Sequence, residues 1–218
     1  GNNFVATSKG SYSIKGTGSN GCPAYGSKIV YENKVYPTIT ALTSKNSKNE
    51  ISKDITCDEE VLTITPTVSS TNVTYSWAGP GSFNETTKTI SVDKPGTYTL
   101  VVKDKTTGCP SAPLSITIED KTKKPVIEET YIKNVSGEDI LDGALTCTNK
   151  KLVLSADITC DNPVSYSWTG PNNFSKTSAQ VEVTAQGTYK LVVKDTKTGC
   201  QSDEREFYIQ ENKDKPVI

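Results

Sequence analysis

The 218-residue sequence contains no histidine and no methionine, and aromatic residues make up only 7% of it. Without histidine the chain cannot hold a Ser-His-Asp or Cys-His centre, a histidine-ligated zinc ion or a proton shuttle that works near neutral pH. The net charge of −1 gives no electrostatic reason to expect a nucleic acid or an anionic membrane as partner. No apolar run approaches the roughly 18 residues of a membrane-spanning helix. We therefore expect no enzymatic activity, no cofactor and no membrane insertion.

The six cysteines contain no C-x-x-C pair. Without histidine, a zinc site would need four thiolates gathered from scattered loops, so disulfides formed in an oxidising compartment are the better interpretation. The cysteines are Cys22, Cys57, Cys109, Cys147, Cys160 and Cys200. The N-terminal residues lack the basic and apolar regions of a signal peptide, so we expect any export signal to lie outside this chain or to have been removed.

A repeat runs through the sequence with an offset of 91 residues. The matching segments are 75–80 with 166–171, 96–104 with 187–195, and 107–109 with 198–200. Upstream of the tryptophan the offset is 90, because Cys57 matches Cys147, so the second copy carries one inserted residue. Such collinear matches predict tandem copies of one structural unit.

The N-terminal residues form a third, incomplete copy, because Gly-Ser-Tyr at 10–12 and Gly-Cys-Pro at 21–23 match the later part of the repeat. We therefore predict that the chain is a window on a longer array. The predicted domains are the C-terminal part of an incomplete repeat at 1–37, complete repeats at 38–124 and 125–215, and the start of another repeat at 216–218.

Hydrophobic residues alternate with polar ones inside each repeat. Tyr98, Leu100 and Val102 fall on one face, while Thr97 and Thr99 fall on the other, which is typical of half-buried strands. Glycine and proline mark the ends of these segments, and no segment has a helical period. Six or seven short strands in each repeat, with a tryptophan on the third, predict an all-β fold of tandem immunoglobulin-like β-sandwich domains in a linear array.

Four aromatic residues are predicted to have structural roles. Trp77 and Trp168 could form a carbohydrate-stacking platform, but each lies two residues after a tyrosine on the same strand, which favours packing in the core. Tyr98 and Tyr189 follow Gly-Thr at the start of the penultimate strand, where a tyrosine-corner residue lies in immunoglobulin-like domains.

Four motifs follow one another in the sequence: Leu-Thr-Cys at 145–147, Tyr-Ser-Trp-x-Gly-Pro, Gly-Thr-Tyr and Thr-Gly-Cys. Their order resembles the Ig-like or PKD-like repeats of giant cell-surface proteins of gliding Bacteroidetes, the SprB-type gliding-motility adhesins. The resemblance covers nearly the whole chain, although the first copy has Ile-Thr-Cys at 55–57. It implies type IX secretion, an extracellular location on the cell surface, attachment to the outer membrane through parts not in this chain, and a non-enzymatic stalk role in adhesion or gliding motility.

Two other functions stay open. The repeats could bind polysaccharide, with Tyr131, Phe207 and Tyr208 as candidate exposed aromatics, or they could form a spacer in a secreted hydrolase. The partners expected are neighbouring repeats of the same chain, followed by surface polysaccharide or other cell-surface proteins.

Repeat equivalence allows two disulfide patterns. Cys57 could pair with Cys109 and Cys147 with Cys200 inside the repeats, or Cys57 could reach Cys200 in the next repeat. Because each repeat has two cysteines at equivalent positions, their number favours the pairs within repeats, which we expect. An ideal sandwich, however, places the two positions at opposite ends, which favours the pair between repeats. Cys160 is then a spare cysteine in a loop near Cys200.

Calcium is a minor candidate ligand. The acidic residues that could supply oxygen atoms between repeats are Asp58, Glu59, Glu60, Asp104, Glu119, Asp120 and Asp195. No D-x-D-x-D-G spacing is present, and charged loops of this kind are usually only solvated. The segment before Pro125 is charged, and its proline should stiffen the junction between repeats.

Overall fold

The computed structural model describes residues 3–212, and within that range it contains strands and short turns but no α-helix. The predicted start of a further repeat at 216–218 lies outside the described residues. No helix of the described residues is long and apolar enough to cross a membrane.

The N-terminal part of the chain is a hairpin. Strands β1 (Gly10–Thr17) and β2 (Pro23–Val30) pair antiparallel and form a two-stranded sheet. Their side chains are almost all exposed, and they include the aromatic ring of Tyr25 and the apolar side chain of Ile14.

Two sets of eight strands follow within the described residues, in the same order. The first set is β3 (Ile39–Lys45), β4 (Asp54–Ile55), β5 (Leu62–Val68), β6 (Val73–Ala78), β7 (Asn84–Glu85), β8 (Ile90–Val92), β9 (Gly96–Asp104) and β10 (Leu114–Asp120). The second set is β11 (Val126–Asn134), β12 (Ala144–Leu145), β13 (Leu152–Thr159), β14 (Val164–Gly170), β15 (Phe174–Lys176), β16 (Val181–Val183), β17 (Gly187–Asp195) and β18 (Arg205–Glu211).

Both sets have the same sheet topology. The three-stranded sheets have the orders β3-β5-β8 and β11-β13-β16, and the five-stranded sheets have the orders β4-β10-β9-β6-β7 and β12-β18-β17-β14-β15. The short strands β4 and β12 run parallel to β10 and β18, and the other registered pairs are antiparallel. Two sheets with these connections form an immunoglobulin-like sandwich. The predictions of an all-β fold class and of tandem immunoglobulin-like repeats are confirmed.

Alternation of side chains builds the core of the second set. In β17, Tyr189, Leu191 and Val193 are buried, whereas the residues between them are partly exposed. The hydrophobic core of this sandwich consists of Ile127, Leu145, Leu152, Leu154, Trp168, Val181, Val183, Tyr189, Leu191, Val193, Phe207 and Ile209. Buried residues of the first set, among them Leu62, Ile64, Trp77, Tyr98, Leu100 and Val102, occupy the matching sequence positions.

Contacts between Cα atoms divide the described residues into two compact units. One consists of residues 3–43, 65–89 and 98–116, and the other of residues 44–64, 90–97 and 117–212. Cys57, Asp58 and the strands of the second set all belong to the second unit. The domain boundaries expected at 37/38 and 124/125 stay a prediction.

Candidate interaction site at the Cys57–Cys200 disulfide

A disulfide joins Cys57, just after β4, to Cys200, in the turn between β17 and β18. The two Cα atoms are 4.9 Å apart in space and 143 residues apart in sequence. The bond therefore connects the predicted first repeat to the predicted second repeat. Within residues 3–212, Cys22, Cys109, Cys147 and Cys160 are free.

This pairing corrects the expectation of Cys57–Cys109 and Cys147–Cys200 bonds. The reason is visible in the second sandwich, where β12 runs parallel to β18 and Leu145 lies opposite Glu211. Cys147 thus lies beyond the end of β18, while Cys200 precedes its start at Arg205. A strand of this length spans about 20 Å, far more than the roughly 7 Å that a disulfide can bridge between Cα atoms.

Asp58 contacts the turn that contains Cys200. Its backbone N–H donates to the carbonyl of Thr198 at 3.1 Å, and its carboxylate accepts from the Lys194 ammonium at 3.3 Å. Gly199 has a φ of +76°, and a side chain at this position would collide with the Asp58 carboxylate. Glycine is therefore needed here both for the left-handed backbone and for the close approach of Asp58.

The segment after β10 also runs beside this turn. The Lys121 carbonyl lies 3.7 Å from the Cys200 sulfur. Lys123 forms an ion pair with Asp161 at 3.1 Å, but both side chains are largely exposed. Exposed pairs of this kind contribute little stability, so the covalent bond and the close contact of Asp58 dominate this site.

Asp195 holds the same turn in place through hydrogen bonds. Its buried carboxylate accepts the backbone N–H groups of Lys197 and Thr198 at 2.8 and 2.9 Å, the amide of Asn162 at 2.9 Å and the thiol of Cys160 at 3.3 Å. Burial opposes ionisation, but these hydrogen bonds outweigh it and hold the pKa of Asp195 well below its usual value. Cys160 thus lies in the loop between β13 and β14, engaged with Asp195.

The two tryptophans are buried in the sandwiches. Trp77 is 1% exposed and Trp168 is 0% exposed. Each indole N–H donates to a backbone carbonyl ten residues later, that of Thr87 or Ser178, at 3.0 Å. These hydrogen bonds satisfy the polar atom of a buried ring, and neither ring face is available to a sugar.

Tyr98 and Tyr189 are also buried, each 1% exposed. The Tyr189 hydroxyl donates to the carbonyl of Ala185 at 3.0 Å, the short-range contact that defines a tyrosine corner. Burial raises the pKa of Tyr189. Tyr12 in the N-terminal hairpin makes the same contact, four residues upstream to the carbonyl of Ser8 at 2.8 Å. Sequence reasoning had not assigned a role to Tyr12, although the match of residues 10–12 with 96–98 contained the signal.

The exposed aromatics suggested for polysaccharide binding have different environments. Phe207 is buried and packs against Trp168 with ring centroids 5.1 Å apart, so its placement on a solvent-facing surface was wrong. Tyr208 is 67% exposed, and its hydroxyl donates to Glu206. The Tyr131 hydroxyl donates to Asp157 and Glu129, and these hydrogen bonds raise its pKa.

Most of the acidic residues considered for calcium make other contacts. Asp104 accepts the backbone N–H groups of Thr106 and Thr107 at 2.9 and 2.7 Å, and Asp58 pairs with Lys194. The part of the chain that the structure describes contains no group of three or more acidic or cysteine side chains arranged to hold a metal ion.

No family model matches the sequence, and no curated protein matches it either. Among solved structures, the chain is similar to three N-terminal domains of the Highly Immunogenic Outer Capsid protein (Hoc) of bacteriophage RB49, with 15% identity and a TM-score of 0.44 over 80% of this chain and 59% of that chain. This chain therefore covers less than two thirds of that structure. With no family shown, the resemblance to gliding-adhesin repeats stays a prediction.

Two further structures show lower similarity. A segment of two fibronectin type-III domains from chicken tenascin matches with 9% identity and a TM-score of 0.28, over 69% of this chain and 92% of that chain. The amphioxus IgVJ-C2 molecule matches with 12% identity and a TM-score of 0.28, over 80% of this chain and 99% of that chain.

Proposed function

We propose that this chain is a non-enzymatic stalk segment of a large extracellular protein, in which sandwich repeats supply length and disulfides between repeats resist extension under force. The observation that carries the proposal is the bond between Cys57 and Cys200. Structural disulfides persist in oxidising environments, which supports a location outside the cell. The resemblance to gliding-adhesin repeats supports a place in a cell-surface adhesin, attached through parts not in this chain.

The disulfide changes how the chain would respond to a pulling force. Force that enters at Cys57 leaves through Cys200, because the two sulfur atoms are covalently bonded. The 143 residues of sequence separation are then excluded from extension, and at about 3.5 Å per residue they correspond to about 500 Å of contour length. A stalk that carries an adhesive tip needs this property, since unfolding would lengthen it and expose it to proteases.

Single-molecule pulling between the two ends of the chain tests the proposal. Without reductant, the chain should extend by about 500 Å less than after reduction. The Cys57→Ser variant should show the longer extension without any reductant. Cys147→Ser, at the equivalent position of the second repeat, should behave like the unmodified chain because Cys147 is free. Equal extension of the oxidised and reduced chains would contradict the proposal.

A further inference from the structure

We propose that Cys109 and Cys147 are attachment sites for further repeats of the same class on the same polypeptide, each forming a disulfide equivalent to Cys57–Cys200. The inference rests on the proposed stalk function and names the partner of its junctions. The chain contains one occupied junction and a second copy of each of its two sides.

The occupied junction has two sides, a plug loop and a socket turn. The plug loop is Thr56, Cys57 and Asp58, after β4. The socket turn is Thr198, Gly199 and Cys200, between β17 and β18. All three residues of the socket turn are buried, and the Asp58 carboxylate fills the space beside Gly199.

A second socket turn lies between β9 and β10, at Thr107, Gly108 and Cys109. The Asp104 N–H donates to the Cys109 carbonyl at 3.0 Å, and the Gly108 N–H donates to the Asp104 carbonyl at 2.9 Å. In the occupied copy, the same two contacts of Asp195 are 2.8 and 3.0 Å. The backbone angle φ is +73° at Gly108 and +76° at Gly199. The two turns therefore have the same conformation.

This second socket turn is open. Gly108 is exposed and Cys109 is half-buried, whereas Gly199 and Cys200 are both buried. A side chain added at Gly108 would meet nothing closer than the Lys103 side chain at 3.6 Å. Lys103 corresponds to Lys194 in sequence, and within residues 3–212 its ammonium has no ion pair. The second socket turn thus offers the space, the positive charge and the free thiol that a loop such as Cys57-Asp58 requires.

The segment that precedes each sandwich passes its socket turn in both copies. The Thr107 hydroxyl donates to the carbonyl of Val35 at 3.1 Å. In the occupied copy the Lys121 carbonyl lies 3.7 Å from the Cys200 sulfur. A chain that arrives along this path brings the preceding repeat to the socket turn, as residues 121–124 do at the occupied junction.

A second plug loop follows β12, at Thr146, Cys147 and Thr148. The backbone groups of Thr146 and Asn149 form a closed turn, with the Thr146 N–H donating to Asn149 at 3.0 Å. Thr56 forms the same turn with Glu59, also at 3.0 Å. Cys147 is exposed and free. Because Thr148 replaces Asp58, this plug loop lacks the carboxylate and should depend more strongly on its disulfide.

Extending the chain by one repeat tests the plug loop. Residues 215–218 repeat the sequence of 124–127, so a copy of residues 128–215 can follow Ile218 without a break in the pattern. The added copy carries Val135→Ile and Gln201→Ala, both at exposed positions, as mass labels. Peptide mapping without reductant, after expression in an oxidising compartment, should detect the original Cys147 bonded to the labelled Cys200. The original Cys57–Cys200 bond should persist.

A second design tests the socket turn and covers the case in which the first extension fails to fold. A copy of residues 38–125 is inserted after Pro37, and its Cys57 should bond to the original Cys109. Cys160→Ser serves as the control in both designs, because it removes a free thiol while the serine hydroxyl can still donate to Asp195. Labelled Cys200 bonded to Cys147 of its own copy, or Cys109 and Cys147 that remain alkylatable in the two folded extensions, would overturn the inference.

The failures of the two proposals are distinguishable. Equal extension of the oxidised and reduced chains would mean that the Cys57–Cys200 bond is absent, and the peptide maps would then lack that bond as well. Maps that contain the Cys57–Cys200 bond but neither new bond would refute the repeated junction. The single bond and its mechanical effect would then still stand.

Discussion

Replacing Cys57 by serine should greatly reduce the stability of the chain. The disulfide closes a loop with a sequence separation of 143 residues. In the loop-entropy model, closing a loop of this length raises the free energy of the unfolded chain by about 5 kcal/mol at 25 °C. Cys57 is preferable to the fully buried Cys200 as the site of substitution, because it is partly exposed and serine there should leave the core unchanged.

Equilibrium unfolding in guanidinium chloride, followed by the fluorescence of Trp77 and Trp168, measures this effect. The midpoint should fall by about 1–2 M for Cys57→Ser, and dithiothreitol should lower the midpoint of the unmodified chain to the same value. Cys147→Ser is the matched control, because it removes the equivalent but free thiol, and it should leave the midpoint unchanged. Identical midpoints for Cys57→Ser and the oxidised chain would refute the reasoning.

Four other substitutions test the two turns and the tyrosine corner. Gly199→Ala should lower the free energy of unfolding more than Gly108→Ala does. Both substitutions incur the left-handed strain of about 1–2 kcal/mol, but only Gly199 faces the Asp58 carboxylate. Equal losses of unfolding free energy in urea titrations would contradict this. Tyr189→Phe should cost about 1 kcal/mol through its lost hydrogen bond, and an unchanged thermal midpoint would argue against a tyrosine corner. Because the lowered pKa of Asp195 stabilises the fold above about pH 4 and this stability is lost as pH falls further, Asp195→Asn should cost about 2 kcal/mol at pH 7. That difference should shrink in titrations below about pH 4, and a difference independent of pH would contradict the assignment.

Local pattern was sufficient to predict the strands and much of the core. Leu100, Val102, Leu191 and Val193 are buried at 0% exposure, as their alternation with polar residues indicates. Alternation works here because each strand has one face in the sandwich and one in water. The same rule places Phe207 beside Ile209 on the buried face of β18, so its interpretation as an exposed aromatic missed a signal that the sequence contained.

The disulfide pairing could not be obtained from local pattern. It depends on the parallel pairing of β12 with β18, which places Cys147 and Cys200 at opposite ends of one strand. Strand β12 has only two residues, too few for a period to be recognised. The contact of Asp58 with Gly199 joins residues far apart in sequence, and only the folded chain reveals that this glycine provides space as well as a left-handed turn.

The most direct test of the junction between repeats is a disulfide map of the oxidised chain, obtained by proteolysis and mass spectrometry without reductant and with free thiols alkylated beforehand. A linked peptide that contains Cys57 and Cys200, together with alkylated Cys109 and Cys147, is the predicted result. Linked peptides that join Cys57 to Cys109 and Cys147 to Cys200 would contradict it, because each repeat would then be closed on itself.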